Sequence, residues 1–529
     1  MNMDVPISTA LISVSDKTDL VPFARRLVTH GVKIISTGGT ARALAHAGIE
    51  VVPVSDITDF PEMMGGRLKT LHPKIHGGLL GLRDNDDHTA AMREHGIAPI
   101  DLVCVSLYPF EQTVSDPDVT DAEAIEQIDI GGPSMIRSAA KNHRFVTVVT
   151  DVSQYDRVAG ELDEHDGATT LTLRRALAGA AFARTAAYET AIAEWFTHGG
   201  GTGQFPDTLV LRLEKIPIEL RYGENPHQKG ALYIEPDAAE PSVARAEQLH
   251  GIALGYCNYF DADGALELVK EFDPAEHAVA AVIKHANPCG FAIADDLPTA
   301  FRKAYGGDPL AAFGGIVALN RNVDLATAEA ICEGKKFLHV IVAPSYDDDA
   351  ADTLRERWKN VRVLAVGALS PPHTRDAARI DLRRITGGLL VQQRDLVPCN
   401  TDQWEHKAGP SPSDDDLRQL TLAMITVKHL KSNAVCIVND YMLVGGGMGQ
   451  VDRLASCRLA IERAGDRAKG GYAGSDALFP FPDGPDMLMN AGVKAIAQSG
   501  GAVKDDDVIK ACEDAGVTLM FTGQRHFRH

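Results

Sequence analysis

At 529 residues the chain is long enough for two or three domains, each with its own core. Its 45% apolar and 23% charged residues exclude disorder, collagen and coiled coil. The formal net charge of -20 argues against partnership with nucleic acid or an anionic membrane, which need clustered Lys and Arg.

The first 150 residues alternate short β-rich runs with helical patterns. ALISVS (10–15), KIIS (33–36), VVPV (51–54), DLVCVSLYPF (101–110) and RFVTVVT (144–150) read as about five strands, and DLVPFARRLVTHG (19–31) and ARALAHAG (41–48) as helices. This βαβα order predicts an α/β domain with a small doubly wound parallel sheet over 1–150. An Ala-rich helix over 168–198 ends at GGGTGQFPD, so 151–207 reads as a helical connection and Gly-rich linker. Residues 208–529 form a larger α/β region with strands HAVAAVIKH (277–285) and NAVCIVND (433–440) and the helix DADGALELVKEF (261–272). Two sub-domains dividing near 370–385 are expected there. KHANPCG at 284 and KSNAVC at 431 look like comparable strand-edge positions in the two halves. The eight cysteines form no C-x-x-C pair, and no apolar run approaches the roughly 18 residues of a membrane helix. A cytoplasmic location with reduced thiols, no metal site and no membrane contact is expected.

Two constellations carry chemistry. In the first, Ser36, Thr37, Gly38, Gly39 and Thr40 lie between a strand and a helix, where free N–H groups point at an anion; the alternative is an ordinary tight turn. Ser13, Ser15 and Lys17 follow the first strand, and Tyr108 follows the strand at 101. The loop GGRLKTLHPKIHGG (65–78) sets Arg67, Lys69, His72, Lys74 and His76 among glycines in an acidic protein, a composition that points to function. Asp129, before Gly131 and Gly132, and Lys141, one helix later, suit proton transfer, or else a helix start and a surface lysine.

In the second constellation, LRYGENPHQ (220–228) reads as a ligand clamp and an apolar strand ends in Lys284 and His285. A His at a strand end can act as a base and a Lys can steady negative charge, unless the two face opposite sides of the strand. Phe313 and Gly314 can bed a planar ring, or mark a bulge. Asn433, Gln450 and Arg453 can read carboxamide or phosphate, or act as caps. Arg525 and Phe527 in the closing GQRHFRH suggest a docked C-terminus.

The ordered motifs ISVSDK, STGGT, GGRLKTLHPKIHGG, LYPF, IEQIDIGG, AAKNH, RYGENPHQ, KHANPCG, AFGGIVA, SNAV, SDALFPF and RHFRH span nearly the whole chain. Together they resemble the bifunctional purine biosynthesis family that joins phosphoribosylaminoimidazolecarboxamide formyltransferase to IMP cyclohydrolase. The resemblance implies a methylglyoxal-synthase-like N-terminal domain and a C-terminal transformylase of two cytidine-deaminase-like sub-domains. It implies Lys69, Tyr108, Asp129 and Lys141 as the cyclohydrolase site, with Ser13, Ser15, Lys17, Thr37, Gly38, Gly39, Thr40 and Arg67 holding the nucleotide. In the transformylase site it implies Lys284 and His285 as the catalytic pair and Asn433 as a carboxamide or transition-state contact. Arg221, Tyr222, Gly314, Arg453 and Arg525 are implied as substrate contacts. The implied cosubstrate is 10-formyltetrahydrofolate, without redox cofactor or catalytic metal, in a homodimer with the transformylase site at its interface. The sequence departs from the family pattern at Asp452, where Ser is common before the arginine, and in GYCNYFDADGA (255–265). Rival readings are a nucleotide-sensing regulatory protein and an enzyme keeping only one activity.

Overall fold

The computed structural model describes residues 4–61, 63–64, 68–116, 118–199, 205–236, 238–375 and 380–529. Among them the chain forms two compact units, Met1–Arg212 and Leu213–His529. No helix of the described residues is long and apolar enough to cross a membrane.

Unit 1 runs β1 (Val5–Pro6), β2 (Thr9–Ser13), α1 (Leu20–Thr29), β3 (Lys33–Ser36), α2 (Gly38–His46), β4 (Val52–Pro53), α3 (Val54–Thr58), α4 (Pro73–Leu80) and α5 (Asp86–Glu94). It continues with β5 (Leu102–Val105), α6 (Phe110–Val114), α7 (Asp121–Glu126), α8 (Gly131–Lys141), β6 (Thr147–Val149), α9 (Tyr155–Glu164), β7 (Ala168–Thr169) and α10 (Leu171–Gly199). The strands order β4-β3-β2-β5-β6, all parallel. The chain thus leaves β2 in one direction and returns through β5 in the other, which opens a crevice at the carboxyl ends of these two strands. The continuous apolar runs LVCV and TVV suit strands covered on both faces, and all their residues are buried. The helices that the sequence assigned to a connection over 151–207 instead complete this unit. Leu173, Leu177, Ala181 and Tyr188 of α10 belong to the same core as the sheet.

Unit 2 opens with the short pair β8 (Glu214–Lys215) and β9 (Tyr233–Ile234). It then repeats one sequence of elements twice. The first half is β10 (Glu247–His250), α11 (Tyr256–Val269), β11 (Ala278–Lys284), β12 (Asn287–Ala294), α12 (Leu297–Gly307), β13 (Gly315–Leu319), α13 (Leu325–Cys332), β14 (Leu338–Ala343), α14 (Asp348–Arg357) and β15 (Arg362–Ala365). A hairpin, β16 (Ile380–Ile385) and β17 (Gly388–Gln393), stands between the halves. The second half is β18 (Glu405–Ala408), α15 (Asp414–Lys428), β19 (Val435–Asn439), β20 (Met442–Gly447), α16 (Arg453–Ala464), β21 (Tyr472–Ser475), α17 (Asp483–Asn490), β22 (Ala495–Gln498), α18 (Asp505–Ala515) and β23 (Thr518–Phe521).

The twelve strands order β10-β15-β14-β13-β11-β12-β20-β19-β21-β22-β23-β18, a palindrome centred on the antiparallel β12–β20 pair. The repeat corrects the sequence comparison of KHANPCG with KSNAVC. Lys284 closes β11, whereas Lys431 precedes β19, the strand equivalent to β11; the true counterpart of the 284–287 turn is 439–442. Because β19 runs antiparallel to β11 across the palindrome, the end of one and the start of the other share one edge of the sheet. The Lys431 N–H donates to Asn287 Oδ1 at 3.3 Å across that edge.

Candidate active sites

The crevice of unit 1 holds a cavity of about 580 Å³. Ser13, Ser15, Lys17, Thr37, Gly38, Gly39, Thr40, Lys69, Tyr108 and Asp129, all singled out from the sequence, line it together. Thr37 is the N-cap of α2, yet its hydroxyl makes no capping bond and pairs with Ser13 Oγ at 2.9 Å. The first N–H groups of α2 are thereby left without a side-chain cap, and the helix end is a fitted place for an anion. Thr40 Oγ1 accepts from Val14 N at 3.1 Å and donates to Val14 O at 3.0 Å, which ties α2 to the end of β2. Gly38 has φ +41°, and a Cβ there would lie 2.9 Å from Lys69 Nζ, so the lysine head sits over the helix terminus. Partial burial lowers the pKa of Lys17, whose ammonium donates to the carbonyls of Val14 and Ser15.

On the other wall, burial raises the Asp129 carboxyl pKa against backbone N–H bonds from Gly132, Tyr108 and Gly131. The buried Tyr188 hydroxyl of α10 accepts from Asp129 N at 2.8 Å and donates to Gln127 O at 3.0 Å, fixing this loop from below. A carboxyl drawn toward its neutral form, in a cavity that lysines also line, can exchange a proton with a ligand bound there. Lys141 ends α8, about 15 Å of helix from Gly131, where it is exposed and does not line this cavity. Arg67 lies outside the described residues. His72 caps α4 by accepting Lys74 N at 3.1 Å, and His76 pairs with Ser138 Oγ at 3.0 Å, so these two histidines brace the loop that presents Lys69. Sequence reading missed Thr70, Ser106 and Glu126, which also line the cavity. Ser106 follows β5 directly, and its hydroxyl accepts Ser15 N at 2.6 Å; its place at a strand end was the available signal.

In unit 2, Lys284 and Asn287 pair across a two-residue turn, with φ +51° at His285 and +57° at Ala286. A left-handed His285 leaves the alternation of β11, so the objection that neighbouring strand residues face apart does not apply to this pair. Lys284 Nζ donates to Phe313 O at 2.9 Å and sits against Gly314, where a Cβ would approach it to 3.1 Å. Gly314 needs its φ of +71°, and the register shift after Gly315 shows the bulge considered from sequence. Phe313 is exposed, stacked at a tilt with Phe337 at 5.4 Å. His339 on β14 was missed; burial first and then Lys284 lower its pKa, placing it in the same cluster.

Across the shared edge, Asn433 Nδ2 donates to Gln450 O at 2.9 Å and Asn433 Oδ1 accepts from Arg453 Nη2 at 2.9 Å. Arg453 also pairs with Asp476, which is fully buried, and donates to Ser475 Oγ at 2.9 Å. The predicted substrate contact is therefore first a structural ion pair that orients Asn433. Asp452 caps α16 by accepting Ala455 N at 2.7 Å, so this departure from the family pattern replaces one capping residue with another. Gln450 donates to Met448 O at 3.0 Å. The GYCNYF segment is the first turn and a half of α11, with Asn258 Oδ1 accepting Gly255 N at 3.0 Å, rather than the loop implied by starting the helix at 261.

The closing segment is docked. Ser432 N donates to Arg528 O at 2.9 Å, Arg528 N returns a bond to Ser432 Oγ at 3.1 Å, and Lys431 Nζ holds His529 O at 2.7 Å. Arg525 lies over the Phe527 ring at 4.4 Å. Arg221 similarly covers Tyr222 at 5.6 Å, and Tyr222 acts electrostatically on Arg362, at the start of β15.

The family model for the AICARFT/IMPCHase bienzyme matches residues 139–463, and that for the MGS-like domain matches 19–134. The bifunctional purine biosynthesis protein PurH of Magnetococcus marinus is 49% identical over 539 residues, covering 99% of each chain. Its namesakes from Bacillus mycoides and Roseobacter denitrificans are each 48% identical, covering 98% and 99% of this chain and 99% of their own. A solved structure titled "Crystal structure of ForH" is 36% identical, covering 36% of this chain and 98% of that one, with a TM-score of 0.34. With relatives this similar along its whole length and a family model over more than half of it, the chain belongs to the AICARFT/IMPCHase bienzyme family.

Proposed function

We infer that this chain formylates 5-aminoimidazole-4-carboxamide ribotide (AICAR) in unit 2 and closes the product to IMP in unit 1, the last two steps of purine biosynthesis. The observation that carries the reading is near-half identity to PurH proteins over 98% to 99% of the chain. The formyl donor is 10-formyltetrahydrofolate. The AICAR amine attacks the formyl carbon, the new C–N bond forms as the bond to folate N10 breaks, and N10 leaves with a proton. His285 takes the proton that the amine loses, and Lys284 steadies the oxyanion or protonates N10. Asn433, held by Arg453 and the Gln450 carbonyl, presents its amide to the substrate carboxamide. Phe313 offers a ring face, and Arg221, Tyr222, Arg525 and Phe527 are the further substrate contacts.

In unit 1 the ribotide phosphate lies at the α2 terminus with Ser13, Ser15, Lys17, Thr37, Gly38, Gly39 and Thr40 around it. The carboxamide nitrogen attacks the formyl carbon and water departs, with Lys69, Tyr108 and Asp129 moving the protons. Neither step changes an oxidation state. The active form is a homodimer in the cytoplasm; exposed Ile385, Leu389 and Leu390 on the β16–β17 hairpin favour a second copy there.

Incubation of the protein with AICAR and 10-formyltetrahydrofolate should yield tetrahydrofolate and IMP. His285→Ala should stop formyl transfer while supplied formyl-AICAR still cyclises, and Lys69→Ala should do the reverse. Loss of both activities in either variant would refute the two-site assignment, and ligand binding without any reaction would favour a nucleotide sensor.

A further inference from the structure

The internal repeat of unit 2 supplies its own control for the Lys284–His285 turn. In each half, two successive non-glycine residues take the left-handed conformation between paired strands: His285 and Ala286 (φ +51°, +57°), and Asp440 and Tyr441 (φ +49°, +57°). Such a pair is unfavourable and needs support from its surroundings. In both halves the support comes from the sixth residue of the preceding helix. Asp261 Oδ1 of α11 accepts Ala286 N at 2.7 Å, and Gln419 Oε1 of α15 accepts Tyr441 N at 3.0 Å. Gln419 shows that a neutral amide oxygen suffices to hold this turn. The first half nevertheless uses a half-buried carboxylate, which a strand turn alone does not require.

What differs is the chemistry around the two turns. Asp261 also receives the His285 backbone N–H and faces the Lys284 head and the His285 ring; His339 and Cys257 are the other titratable groups that sense it. Gln419 faces a turn whose first residue is Asp440, paired with Lys303 at 3.0 Å. We propose that Asp261 is a positioning residue of the formyl-transfer site, whose negative charge favours the positive charge that His285 acquires on taking the amine proton and holds the Lys284 ammonium beside it. This rests on the assignment of His285 as the base. The carboxylate lies beneath the turn, bonded to its backbone, and acts through His285 and Lys284 rather than on substrate.

Asp261→Asn keeps an acceptor oxygen for Ala286 N, as Gln419 does for Tyr441, and removes only the charge. Steady-state formyl transfer from 10-formyltetrahydrofolate to AICAR is compared for the full-length wild type, Asp261→Asn, Asp261→Glu and His285→Ala. Cyclisation of supplied formyl-AICAR by unit 1 serves as the control. The expected result for Asp261→Asn is a kcat lower by roughly ten- to a hundredfold, with KM for AICAR, thermal midpoint and cyclisation unchanged. Asp261→Glu should recover part of kcat. Wild-type kcat in Asp261→Asn, with His285→Ala inactive, overturns the proposal alone. Full formyl transfer by His285→Ala overturns the base assignment and the proposal with it. A raised KM and lowered midpoint in Asp261→Asn, without recovery by Glu, would assign Asp261 to the turn's structure only and also overturn it.

Discussion

Replacing Gly38 by alanine tests the phosphate end of the unit 1 cavity with one methyl group. At φ +41° an alanine must hold a left-handed backbone, which costs about 1–2 kcal/mol. For a unit of this size that lowers the midpoint of thermal unfolding by about 2–8 °C. The methyl would also stand 2.9 Å from Lys69 Nζ, inside the roughly 3.5 Å of ordinary contact, so the lysine head is pushed aside by more than half an ångström. A displacement on this scale lowers ring closure by about ten- to a hundredfold. The assay is spectroscopic cyclisation of formyl-AICAR, with calorimetry for stability and formyl transfer as the reaction of the other unit. Gly39→Ala is the matched control for stability, because that position has no positive φ and its Cβ would meet only Arg42 Nη2 at 4.0 Å. A Gly38→Ala protein with the wild-type midpoint and wild-type ring closure would refute the argument that this backbone and Lys69 share the site.

Two further outcomes follow from charges in unit 2. Arg453→Ala strands the fully buried Asp476 carboxylate, so it should destabilise unit 2 by about 3–5 kcal/mol in a denaturant titration, well beyond the loss of a surface ligand contact. A midpoint unchanged from wild type would return Arg453 to a purely ligand-binding role. Glu271, buried against His429 and Lys428, has its carboxyl pulled from 4.5 down to about 2 despite the opposing effect of burial. Its contribution is present above the unfolded value and is lost as pH falls from about 4.5 toward 2, an effect on the order of 3 kcal/mol. Urea midpoints measured between pH 6 and pH 3 should therefore fall less steeply in Glu271→Gln; parallel curves would contradict this assignment.

The elements with strong local signals were legible. KIIS is β3 at the predicted residues, and the helix expected over 168–198 is α10. The STGGT turn and the Lys69 loop converge because strand ends gather at a doubly wound switch point, which the order of motifs already implied. What sequence could not convey were partners set by tertiary distance. Arg453 looked like a junction residue, since Asp476 is 23 positions away. The left-handed turn at His285 and Ala286 has neither glycine nor asparagine to announce it, because its support comes from Asp261 on another element. The duplication stayed hidden for the same reason: Asp261 and Gln419, or His285 and Asp440, fill one geometric role with different side chains.

The palindromic sheet also limits how this protein can be dissected. Within the sheet its halves are joined through the inner strands β12 and β20, which pair at Ala292 and Met442. Cutting between the halves would turn each of these central strands into an open edge carrying unmet hydrogen-bonding groups, the usual starting point for indiscriminate strand pairing. Expressed alone, either half is thus a candidate for inclusion bodies. Expressed together from separate open reading frames, each supplies the edge that the other lacks, which makes the connection between β15 and β18, on either side of the β16–β17 hairpin, a natural place to split the enzyme into complementing fragments.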